Sequence, residues 1–107
     1  MIPTEKLLAR LEKLDCPPSQ IRQVADKIQA LPEDIYAAFE AWFATGELPD
    51  IQVEGQTVGG ILKNHPERTV VGAFLALEWL RREPARAKAL LAKPAFLSAR
   101  DIQTLRR

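Results

Sequence analysis

Few side chains in this sequence can do chemistry, and their spacing keeps them apart. His65 is the only histidine and Cys16 the only cysteine among 107 residues. One imidazole and one distant thiol make neither a metal-ligand cluster nor a nucleophile–base pair. Asp15 stands beside Cys16, and a neighbouring carboxylate works against thiolate formation. His65 precedes Pro66, a place that suits ending a helix and capping its carbonyls. Glu33 and Asp34 are adjacent acids, but neighbours on a helix do not share a face. Acids in a first turn are already explained by the helix dipole. Gly55 to Gly60, "GQTVGG", has the glycine spacing of a phosphate-binding loop. Ile61 and Leu62 follow where that loop needs a lysine and then a hydroxyl residue, so the motif has no means of holding phosphate. The sequence therefore points to no catalytic residue, metal or cofactor, and a non-enzymatic protein is expected.

Charge offers a second kind of chemistry, namely binding. The net charge is +1, yet residues 28–62 carry no basic side chain and six acids: Glu33, Asp34, Glu40, Glu47, Asp50 and Glu54. From Arg81 onward, eight basic residues face two acidic ones, a net of +6. Such asymmetry suits a nucleic-acid contact, an acidic partner, or two halves that attract each other within or between chains. Arg81, Arg82, Arg86, Arg100, Arg106 and Arg107 are the candidate contacts. Against this stands the plainer expectation of solvated helix faces with a basic end. Tyr36, Phe39, Trp42 and Phe43 can be read as the lining of a ligand pocket, but three of them fall on a stripe that burial already requires.

The elements that would position these groups are helical. Leu7, Leu8, Leu11 and Leu14 form one helix stripe behind Thr4 as N-cap, and "CPPS" ends it. Ser19 begins a second helix with Ile21, Val24, Ile28 and Leu31 on one face. Pro32 opens a third, bearing Ile35, Phe39, Trp42 and Phe43, and Gly46 closes it. Ile51 and Val53 alternate with Gln52 and Glu54, the period of a short extended segment that must be a loop or find a partner. Thr57 caps a short helix with Val58, Ile61 and Leu62. Pro84 starts another with Ala87, Leu90 and Leu91 inward. Ser98 and Asp101 form a capping box, flanked by Leu97 and Ile102, for a last helix with Ile102 and Leu105 inward.

Between them lies "HPERTVVGAFLALEWLRR", residues 65–82, which with residues 57–64 has the layout of a helix-turn-helix. A recognition helix must offer Arg, Lys, Asn or Gln to base edges. Here Val70, Val71, Ala73, Phe74, Leu75, Ala76, Leu77, Trp79 and Leu80 surround the axis, with Gly72 and Ala76 as a notch for a neighbour, and such a helix is a buried one. Only its last turn, Glu78 with Arg81 and Arg82, is expected to meet water.

The resulting expectation is an all-α, compact, bundle-like single domain over residues 1–107. It has six or seven short helices around a central apolar helix at about 67–81, and an extended segment near 50–54. The N-terminus has no apolar leader, and the longest apolar run, "VVGAFLAL", is far short of the roughly 20 residues a membrane span needs. A lone cysteine suits a reducing compartment, and with it a cytoplasmic protein without a membrane partner. The expected activity is protein–protein interaction, including homodimerisation by the acidic middle facing a basic end and by pairing of the segment Ile51 to Glu54, with Ile51 and Val53, across a two-fold axis. The alternative is nucleic-acid binding through the 57–81 segment and the basic end.

Overall fold

A computed structural model describes residues 2–13, 21–65 and 70–92 of the chain. Leu14, Cys16, Ser19, Pro66, Thr69 and the expected helix after Ser98 lie outside the described residues. Six helices are present among those described: α1 (Thr4–Lys13), α2 (Ile21–Gln29), α3 (Glu33–Thr45), α4 (Val58–Asn64), α5 (Val70–Arg82) and α6 (Pro84–Leu91). The all-α expectation holds, and the helical stripes read from the sequence supply the core. Leu7 and Leu11 of α1, Val24 and Ile28 of α2, and Ile35, Phe39 and Trp42 of α3 are buried together with Val58 and Ile61 of α4.

The central position belongs to α5. Residues 71–80 are buried without interruption, and the helix packs against α2, α3, α4 and α6. Its aromatic neighbours lie on α3. Phe74 meets Phe39 edge-on at 5.3 Å between ring centres and 88° between planes, and Trp42 lies 6.4 Å away. Aromatic pairs so arranged add roughly 0.5–1.5 kcal/mol beyond the area they bury. Glu78 departs from expectation. It is buried with the rest of α5, only 8% exposed, and keeps its charge satisfied by accepting a 3.0 Å hydrogen bond from Arg82.

The helix ends explain the turns between elements. The Leu7 N–H donates to the Pro3 carbonyl at 3.1 Å, so Pro3 stands where Thr4 was expected to cap, and Thr4 is already helical. Pro32 likewise stands just outside α3, with φ −53° and ψ 148°, its carbonyl accepting the Tyr36 N–H. A proline suits both places because a helix's first carbonyl is needed there and its first N–H is not. Gly46 closes α3 at φ 79°, donating to the Trp42 carbonyl. Thr57 caps α4 by accepting the Gly60 N–H at 2.9 Å, and the His65 N–H closes the other end on Ile61. Glu83 serves two helices: its N–H donates to Trp79 of α5, and its carbonyl accepts from Ala87 of α6.

The extended segment finds its partner within the chain. Val53 and Gln56 exchange two backbone hydrogen bonds of 2.8 and 2.9 Å. Glu54 (φ 51°) and Gly55 (φ 79°) make the turn between them. Positive φ at both central residues is the mirror-image turn that suits the twist of a hairpin. The Val53 side chain enters the core, only 6% exposed.

Candidate interaction site

Among the described residues, those singled out by charge and alternation lie in two places, and most have partners. Arg81 places both guanidinium nitrogens on Asp34, at 2.6 and 2.7 Å, tying the end of α5 to the start of α3. These hydrogen bonds hold the Asp34 carboxyl down to about 2 and push the Arg81 guanidinium further up. Arg82 pairs with Glu78 at 3.0 Å. Arg86 lies 3.9 Å from Glu83 and 4.7 Å above the Trp79 ring. One pair, Asp34 with Arg81, thus joins the acidic middle to the first residue of the basic stretch. Ile51 is half-buried against the core, and the N–H and carbonyl of Val53 are both engaged by Gln56. A ladder to a second chain therefore has no open pair at Val53. Arg100, Arg106 and Arg107 lie outside the described residues. Ten consecutive buried residues, 71–80, leave that stretch of α5 no face to lay in a groove.

The aromatic residues divide by depth. Phe39 and Trp42 are consumed by packing against Phe74. The Tyr36 hydroxyl accepts the Ile2 N–H at 3.0 Å, fixing the segment ahead of α1. Phe43 is half-buried and stands between two shallow depressions. One, of about 230 Å³, is bordered by Lys6, Ala9, Arg10, Lys13 and Phe43. The other, of about 310 Å³, is bordered by Ile2, Pro3, Lys6, Glu40, Phe43 and Ala44. Lys6 and Phe43 belong to both, so the two read as one cleft along the line where α1 meets the C-terminal half of α3.

This cleft was not singled out by the sequence, although its signal is there. Lys6, Arg10 and Lys13 fall at i, i+4 and i+7, one face of α1 next to the buried Leu7–Leu11 stripe. Arg10 is held in place by stacking, its guanidinium 4.7 Å from the Phe43 ring centre and 5.5 Å from that of Trp42. Such contacts are worth roughly 0.5–1 kcal/mol near a surface, enough to orient the side chain. Lys6 and Lys13 are exposed, and neither forms an ion pair among the described residues. Leu48, in the loop after α3, is the exposed large apolar side chain among those residues, at 41%. Its flanks are Glu47 and Asp50, both exposed.

A third depression, of about 250 Å³, gathers Gln56, Asn64, His65 and Lys88 beside Leu91 and Ala92. It sits at the C-terminal ends of α4 and α6, where helix carbonyls disfavour an anion. Among the described residues no group of three or more His, Cys, Asp or Glu side chains could hold a metal ion. No described helix is long and apolar enough to cross a membrane. No protein-family model, curated protein or solved structure matches this chain.

Proposed function

We propose that this is a non-catalytic, cytoplasmic protein-binding domain, and that the α1–α3 cleft is the surface that binds. The observation that carries this reading is the gathering of cations around one half-buried aromatic ring. Arg81, Arg82 and Arg86 are matched to acids of their own chain, whereas Lys6 and Lys13 extend to solvent beside an Arg10 anchored on aromatic rings. A surface of three positive charges and one acid, Glu40, around a half-buried phenyl ring complements an acidic peptide segment carrying an apolar residue. Charge gives such a contact its steering and register, and the apolar residue at its centre gives affinity.

Nucleic acid is the second reading, because the same three cations could follow a phosphate backbone. The face they define lacks the Asn and Gln side chains that read bases, so such binding would be independent of sequence. Fluorescence anisotropy with a labelled Glu/Asp-rich peptide containing a central leucine, and with a short labelled DNA duplex, separates the two. Peptide binding at low salt that is lost in the K6A/K13A double variant supports the protein-binding reading. Tighter duplex binding with the same dependence transfers the site to nucleic acid, and binding of neither probe overturns both.

A further inference from the structure

The acidic loop and the basic cleft adjoin the same end of α3. Glu47, Leu48 and Asp50 follow directly from the C-terminus of α3, and Phe43 and Ala44, one turn earlier on that helix, border the cleft. We propose that the cleft receives the Glu47–Asp50 loop of a second copy of this chain. Leu48 enters beside Phe43 while Glu47 and Asp50 meet Lys6, Arg10 and Lys13. The proposal rests on the α1–α3 cleft being a protein-binding surface, and it names the partner.

Three observations bring these halves together. The first is charge. Lys6, Arg10 and Lys13 offer three positive charges, and Glu47, Asp50 and Glu54 three negative ones, none of these acids in an ion pair among the described residues. The second is exposure. Leu48 is the large apolar side chain left in water among the described residues, and it sits between two of those acids. The third is placement. Both halves lie at the same end of α3, so a two-fold axis there lets each copy give its loop and receive the other's in one event. The loop is braced for this role: the Thr45 hydroxyl donates to the Ala41 carbonyl at 2.8 Å and accepts the Glu47 N–H at 3.2 Å. The Val53–Gln56 turn anchors its far end through the buried Val53 side chain.

Reciprocal charge reversal tests the contact. Sedimentation equilibrium of the full chain at low salt is expected to give a dimer that weakens as salt screens the pairs. The K6E/K13E variant and the E47K/D50K variant should each associate about tenfold or more weakly, since like charges then face each other at both halves of the interface. Mixed in equal amounts, the two variants should form a heterodimer, because every reversed cleft then meets a reversed loop. All four positions are exposed, and circular dichroism with thermal melting checks that both variants keep the fold. The inference is overturned by a wild-type monomer at high concentration and low salt. It is equally overturned by a dimer that both reversals leave intact, or by a mixture no more associated than its parts. A monomer that still binds the acidic leucine peptide through Lys6 and Lys13 removes the self-contact and leaves the protein-binding reading standing.

Discussion

Asp34 and Arg81, 47 positions apart in the chain, are joined by two parallel hydrogen bonds of 2.6 and 2.7 Å. The pair closes α3 onto the end of α5. Exposed ion pairs contribute little on average, but a two-pronged guanidinium–carboxylate contact fixes direction as well as distance. The Asp34 carboxyl ionises near 2 when folded, against roughly 3.9 in an unfolded chain. Its stabilisation is therefore complete above the unfolded value and is lost as pH falls through the folded one. The stability difference between wild type and Asp34→Asn should be constant at neutral pH and shrink between about pH 4 and pH 2. Urea denaturation in pH steps checks this, and a difference that persists unchanged to pH 2 refutes it.

The aromatic contact between α3 and α5 should dominate stability. Phe74→Ala removes the partner of both Phe39 and Trp42 and is expected to cost roughly 3–5 kcal/mol, a large part of what a small domain possesses. Phe74→Leu keeps most of the volume and should retain a cooperative transition at a lower urea midpoint. Equal midpoints for the two variants would show that the rings do not share a packed core.

Helix ends give a finer prediction. Thr57→Ala loses the oxygen that accepts the Gly60 N–H and should cost roughly 0.5–2 kcal/mol, while Thr57→Ser should restore most of it. A Cβ at Gly46 meets no atom within 4 Å, so Gly46→Ala pays only for its φ of 79°, on the order of 1–2 kcal/mol. Chemical denaturation separates the two effects, because the Ser variant has no counterpart at Gly46.

Glu78 is a charge among apolar neighbours whose partner, Arg82, is itself about half exposed. Removing a carboxylate from such a place need not weaken the fold, since the guanidinium can turn to water and an apolar side chain can fill the site. Glu78→Met is expected to leave the urea midpoint unchanged or raise it. A marked drop would show that the Glu78–Arg82 bond holds α5 in register.

Burial was legible where it repeats with the helical period. Leu7 with Leu11, Val24 with Ile28, and Ile35 with Phe39 and Trp42 could be assigned inward, because each stripe needs only its own helix to be defined. The continuous apolar length of α5 marked it as central for the same reason. Relationships between helices were not legible. Nothing local to Asp34 announces Arg81, and nothing near Arg10 announces Trp42 and Phe43 on another helix. Gly55 marks a turn in the sequence, but the pairing of Val53 with Gln56 across it was obscured by Glu54, an uncommon residue at positive φ. The basic face of α1 escaped for a different reason. Thr4–Lys13 has a net charge of only +1, because Glu5 and Glu12 offset two of the three cations. Counting charge along the chain averages out what the helix sorts onto faces.

The residue shared by α5 and α6 leaves no spare length between them. Because Glu83 ends one helix and caps the next, the angular setting of α6 is fixed by that of α5, and Ala87, 1% exposed, depends on it. A single residue inserted after Glu83 would turn every side chain of α6 by about 100° about its axis. The junction thus tolerates substitution far better than a change in length, and any natural variation in this stretch should conserve the count of residues before their identity.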